Sequence, residues 1–254
     1  EFVQEKAMKF CKQQELQKVM NKAQKIIDGG EFENYDKVEQ LVRNALQVGE
    51  REDGQSDVFF NLSEVLNEDY RHPIPMGIPG IDRLLKGGLA KGEIGVVLAP
   101  TGVGKSTLLT KVANHAFNLG YNVLQIFFED NPKIIQRKHI TLWTKVHPDE
   151  LSLKKEEVMI KVQEVKDTMT NKLILKKLPS DTVTMLQIKN QIRKMIADGV
   201  RVDMVLLDYI DCVVPDRNLS DEWKSEGSVM RAFESMCHEL DLVGWTATQG
   251  NRSS

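Results

Sequence analysis

Nine consecutive residues, Ala99-Pro-Thr-Gly-Val-Gly-Lys-Ser-Thr107, combine the residue types that hold a polyphosphate. Glycines at 102 and 104 permit a turn tight enough for several backbone N–H groups to converge on an anion, and a helix starting at Lys105 adds the positive end of its dipole. A lysine at this point reaches the β and γ oxygens of a nucleoside triphosphate, and the hydroxyl beside it binds Mg2+. The spacing therefore assigns Thr101, Gly102, Val103, Gly104, Lys105, Ser106 and Thr107 to nucleotide binding. Lys105 also stabilises charge during phosphoryl transfer, and Ser106 is a metal ligand. The expected cofactors are ATP, or another nucleoside triphosphate, and Mg2+. The strict loop pattern has Gly where Ala99 stands, so the match is to a relaxed form.

Three more polar groups stand at the ends of apolar, strand-like runs. Met204-Val-Leu-Leu-Asp208 presents Asp208 as a second group beside Mg2+, holding a metal-bound water. Asn122 to Phe128 ends in Glu129-Asp130 and directly follows the phosphate-loop helix, which predicts that its tip lies beside the loop. Glu129 is the expected general base, and Asp130 the expected N-cap of a helix that begins at Pro132. Gly244 to Thr248 delivers Gln249 to the same edge of the sheet, where a neutral amide can hydrogen-bond the γ-phosphate and change partner after hydrolysis.

Positioning these groups requires a sheet. Strand-like runs at Ile94–Leu98, Asn122–Phe128, Leu173–Leu175, Met204–Leu207 and Gly244–Ala247 alternate with helical runs at Lys105–Leu119, Pro132–Lys145, Glu156–Thr168, Thr184–Ala197 and Lys224–Leu240. Such alternation predicts an α/β fold, a mainly parallel sheet with helices on both faces. A turn-rich stretch between Arg71 and Gly92 marks the entry to this domain, over residues 71–254. Residues 1–70 read as a helical linker. An amphipathic helix over Phe2–Ile27, roughly 39 Å long at ~1.5 Å per residue, ends at Gly29-Gly30, and a second runs over Asp36–Val48. Two helices make little core, so the segment forms a hairpin or docks on a neighbouring subunit.

A formal charge of −3 excludes a globally basic surface, so any nucleic-acid contact needs a local patch or a channel formed by assembly. Three cysteines, Cys11, Cys212 and Cys237, fit neither a disulfide framework nor zinc spacing and indicate a reducing compartment. With no apolar run near the ~20 residues of a membrane span and no signal sequence at its start, the chain reads as soluble and cytoplasmic.

The residues resemble the RecA-like ATPase domain of DnaB-type replicative helicases, including those of phages. Ile78-Pro-Gly-Ile-Asp82, Leu84-Leu85, Gly87-Gly88-Leu89 and Gly92-Glu93 are similar to that family's lead-in to the phosphate loop, which itself commonly lacks the first Gly. Phe127-Phe128-Glu129 sits where the family carries its catalytic glutamate, with Asp130 replacing the usual Met. Leu207-Asp208-Tyr209-Ile210 resembles its metal-binding strand, with Asp211 where Gln is common. Gln249-Gly-Asn251-Arg252-Ser253 is similar to its Gln-x-Asn-Arg-Ser sensor. The resemblance covers residues 72–254. It implies a hexameric ring on single-stranded DNA in a bacterial or phage-infected cytoplasm, with a primase or helicase loader as further partners. It also implies that this chain is a fragment, with the last strands, a DNA-contacting loop and an arginine finger in residues beyond Ser254.

For DNA the chain offers Arg217 and Lys224 on the loop from Val214 to Lys224, together with Arg252 and a loop tryptophan, Trp223. Asp216, Asp221 and Glu222 beside them favour a plain solvated loop. Three other readings share the phosphate loop: a recombinase or clock-type ATPase, a nucleotide-gated interaction module, and a small-molecule kinase, for which the chain has no Arg-rich lid.

Overall fold

Five apolar runs become strands: β1 (Ile94–Ala99), β2 (Val123–Phe127), β3 (Leu173–Lys177), β4 (Met204–Asp208) and β5 (Val243–Gln249). β2 and β4 are buried at every position, the pattern of strands inside a parallel sheet covered on both faces. All pairings are parallel, in the order β1-β5-β4-β2-β3. The computed structural model describes residues 13, 16–22, 24, 26, 66, 71–215 and 222–250, the side chains of 222–226 excepted. The chain divides into two compact units, Glu1–Asn67 and Glu68–Ser254. In the first, the described residues from Gln13 to Ile26 are helical, within the helix expected there. The helix expected over 36–48 lies outside the described residues.

The second unit carries helices α1 (Pro79–Leu84), α2 (Lys105–Asn118), α3 (Pro132–Thr144), α4 (Lys155–Thr168), α5 (Met185–Ala197) and α6 (Glu222–Glu239). Side chains alternate across each strand, so β4 feeds two cores. Met204 and Leu206 pack with Leu109, Val112 and Ala113 of α2, while Val205 and Leu207 pack with Ile188 and Ile192 of α5 and Phe233 and Met236 of α6. At the edge, Gly95 of β1 lies opposite Trp245 of β5, and a Cβ on Gly95 would sit 2.4 Å from the indole ring. Glycine is therefore needed for the indole to lie flat against β1.

α5 starts from a capping box in which the Thr184 hydroxyl accepts from the Gln187 N–H while the Gln187 side chain accepts from the Thr184 N–H. Thr184→Ala should cost about 1 kcal/mol, read as a shift in urea midpoint with an unchanged slope.

The strand order shows how the tip of β2 reaches the phosphate loop. β2 follows α2 in sequence, yet β5 and β4 stand between it and β1. Its tip borders Asp208 at the end of β4, through the Phe127–Asp208 register pair, and Glu129 and Asp130 beyond it still line the cavity over the phosphate loop, across the two intervening strands. Parallel pairing needs only a crossover long enough to span the intervening strands, so adjacency in sequence does not dictate adjacency in the sheet.

Candidate active site

The backbone at the phosphate loop is set by Gly102 and Gly104, with φ of +83° and +98°. Gly104 is the N-cap of α2 in the left-handed region, and no side chain caps that helix. Its first-turn N–H groups are therefore available to a ligand, at the positive end of the helix dipole.

A cavity of about 370 Å³ opens over this turn. It is lined by Thr101, Gly102, Gly104, Lys105, Ser106 and Thr107 of the loop, by Glu129 and Asp130 beyond β2, by Lys138 of α3, by Asp208 and Tyr209 at the end of β4, and by Gln249 of β5. Val103 does not line it, and its side chain is exposed. The structure thus brings the predicted loop, Asp208, Glu129 and Gln249 around one space. Of the residues assigned to DNA, Arg217 and Arg252 lie outside the described residues, as do the side chains of Lys224 and Trp223.

Lys105 folds over its own loop, donating from Nζ to the carbonyl oxygens of Ala99 at 2.8 Å and Pro100 at 3.4 Å, and lies 5.6 Å from the centre of the Tyr209 ring. The Ser106 hydroxyl donates to Asp208 Oδ1 at 3.0 Å. Burial pushes the Asp208 carboxyl above its usual range. The Ser106 bond and Lys138 oppose that shift, while Asp130 and Glu129 add to it. Hydroxyl and buried carboxylate form a hard-oxygen pair that suits Mg2+, whose charge would also relieve the crowding of three acids. Among the described residues no group of three or more His, Cys, Asp or Glu forms a protein cage for a metal, so phosphate and water would complete the coordination.

Glu129 Oε1 accepts a hydrogen bond from the Tyr209 hydroxyl at 3.0 Å. Burial, and then this bond, raise the Tyr209 phenol further above the range in which it would ionise, so it remains a donor. Gln249 reaches the cavity because β5 runs beside β1 in a register that sets it opposite Ala99, at the root of the loop.

Asp130 does not cap α3. Asn131 does, its Oδ1 accepting from the Lys133 N–H at 2.9 Å. The residue immediately before a helix-initial proline is held extended and takes the N-cap place, which leaves Asp130 one position too early. Asp130 instead pairs with Lys138 at 3.0 Å. Lys138 was missed from sequence, although it lies seven residues past Asn131, two turns along one helix face.

Behind the loop, six hydrogen bonds run in one direction: Trp143 Nε1 to Asn118, Asn118 to Asn114, Asn114 to His139 Nδ1, His139 Nε2 to Gln125, Gln125 to Thr110, and Thr110 to the Ser106 carbonyl. The direction is assigned from its end. The single Thr110 proton goes to a carbonyl, so Thr110 must accept from the Gln125 amide, which turns the amide oxygen toward His139. His139 is 1% exposed, and burial lowers its pKa to about 4, so it is a neutral ring, donor at Nε2 and acceptor at Nδ1.

Residues 73–254 match the family described as the DnaB-like helicase C-terminal domain. Among curated relatives, the DNA repair protein RadA of Mycolicibacterium smegmatis is 40% identical over 57 residues, 22% of this chain and 12% of RadA. The DNA repair and recombination protein RadB of Methanobrevibacter smithii is 24% identical, the match covering 69% of this chain and 93% of RadB. Among solved structures, a DnaB-like replicative helicase studied with its interactions with primase superposes with a TM-score of 0.70 at 16% identity, over 93% of this chain and 57% of that one. A second solved structure, an isolated ATPase domain, gives 0.59 at 17% identity, over 71% of this chain and 64% of that one. The chain thus spans only 12% of the length of RadA and little more than half of the helicase, and at these identities the two structures share its fold. By the match over residues 73–254, the chain belongs to the DnaB-like helicase C-terminal domain family.

Proposed function

We propose that this chain is the ATP-hydrolysing motor portion of a replicative DNA helicase that travels on single-stranded DNA as a ring, a hexamer in the complete protein. One observation carries the reading: a single cavity gathers Lys105, Ser106, Glu129, Asp208 and Gln249 from four separate segments of the chain. Loop N–H groups and Lys105 bind and orient the triphosphate. Ser106 and Asp208 would hold Mg2+, which when bound neutralises charge on the phosphates. Glu129, steadied by Tyr209, accepts the proton of the attacking water, and Gln249 hydrogen-bonds the γ-phosphate. A neighbouring subunit supplies the cationic finger, and Arg217, Lys224 in the first turn of α6, and Arg252 grip the DNA backbone. A primase is the partner class this reading entails for the complete protein, with a loader to place the ring on DNA.

The test is ATP hydrolysis by the full-length protein with and without single-stranded DNA. DNA should raise the rate severalfold, and Lys105→Ala should lower kcat/KM by about 10²-fold or more. A rate indifferent to DNA contradicts the motor. Filaments instead of closed rings in electron micrographs with ATP would favour a recombinase, the reading to which the similarity to the DNA repair and recombination protein RadB lends support.

A further inference from the structure

The ladder between β4 and β5 ends at the pair Leu207 and Thr246, short of the end of β5. Thr248 and Gln249 continue beside β1, but on the β4 side they lie beyond the last ladder pair. A side chain takes over there. After Asp208 the chain enters a short 3-10 turn, Ile210–Cys212. From it the two carboxylate oxygens of Asp211 accept from consecutive residues of β5, Oδ1 from the Thr248 hydroxyl at 2.7 Å and Oδ2 from the Gln249 N–H at 2.8 Å.

We propose that Asp211 is a positioning residue for hydrolysis, which fixes the end of β5 so that the Gln249 side chain stands at the nucleotide cavity. The inference rests on the functional reading above, in which Gln249 contacts the γ-phosphate. A carboxylate suits the task because it is acceptor-only and two-pronged, and bonds to an ionised acceptor are the stronger kind. Asp211 also ties Gln249 to the turn that begins two residues after Asp208. When Gln249 changes partner on loss of the γ-phosphate, its backbone anchor stays on the segment that carries the metal-side carboxylate.

The test measures kcat and KM for ATP in the full-length protein with single-stranded DNA, alongside binding of a fluorescent ADP analogue. The variants are Asp211→Ala, Asp211→Asn, Gln249→Ala and the double variant Asp211→Ala/Gln249→Ala. Asp211→Ala should lower kcat about tenfold, with KM and analogue affinity within about twofold, because a displaced sensor affects the transition state more than ground-state binding. Asp211→Asn, whose amide oxygen can accept from the Gln249 N–H while its NH₂ donates to the Thr248 hydroxyl, should recover most of the wild-type kcat. The double variant should be no slower than Gln249→Ala, because Asp211 acts through Gln249. Wild-type kcat in Asp211→Ala, or losses that multiply in the double variant, overturn the proposal. If the wild type hydrolyses ATP and Glu129→Gln stops it while Asp211→Ala does nothing, this inference alone fails. Absence of hydrolysis in the wild type removes the functional reading and this inference together.

Discussion

Glu129→Gln should lower the ATPase kcat by about 10³-fold while leaving nucleotide affinity within about twofold, the size of effect that follows loss of a positioned proton acceptor. The substitution isolates that role. The introduced amide oxygen can still accept from the Tyr209 hydroxyl, which in the native protein sits 3.0 Å from Glu129 Oε1, so side-chain placement is retained. Glu129 is exposed and packs in neither core, so the variant should unfold at the wild-type temperature. Single-turnover hydrolysis, with nucleotide binding measured separately, checks the expectation. A residual rate above about a tenth of wild type would transfer the proton acceptor to another group, and Asp130, which lines the same cavity, is a candidate.

Acid should weaken this fold through His139 by about 3 kcal/mol between pH 6.5 and 4. Its pKa is about 4 in the folded chain and about 6.5 once unfolded and solvated. Between those values the unfolded state binds the proton and the folded state does not, so stability falls as pH falls. The contribution is fully present above pH 6.5, declines by ~1.4 kcal/mol per unit below it, and levels off under pH 4. Protonation would also place a second donor at Nδ1, facing the Asn114 amide that now donates to it at 3.3 Å. Urea midpoints of wild type and His139→Gln at pH 7.5, 6, 5 and 4 test this. The carboxylates titrate in both proteins and cancel in the difference. His139→Gln should be the less stable at neutral pH and should close the gap as pH falls. A constant difference would mean that the ring titrates normally.

How much of this was legible in sequence depended on whether the signal was local. The five strands and the five helices from α2 to α6 announced themselves through apolar runs and turn residues, and observed ends differ from expected ones by a residue or two, as at Val123–Phe127 within Asn122–Phe128, whereas α1 lies in the stretch read only as turn-rich. The phosphate loop was equally visible because its chemistry lies within nine consecutive residues. Strand order was not, because pairing between distant segments is decided by which faces bury together and not by any nearby residue. Asp211 and Lys138 escaped for the same reason: their partners, Thr248 and Asp130, become neighbours only once the sheet and α3 are assembled. Gln125 did leave a trace, as the one polar side chain inside a fully buried strand, where an unpaired amide would be costly. That polarity pointed to a partner, and the fold supplies two, Thr110 and His139.

The sheet order has a mechanical meaning. β4 lies between β5 and β2, so the segments bearing Asp208, Glu129 and Gln249 emerge from three adjoining strands locked by continuous ladders. Such a platform resists shear, since sliding one strand breaks a whole row of bonds at once. On the function proposed above, a power stroke would be delivered by the segments that leave the strand tips, bending about a stiff base, while the spacing among Asp208, Glu129 and Gln249 changes little.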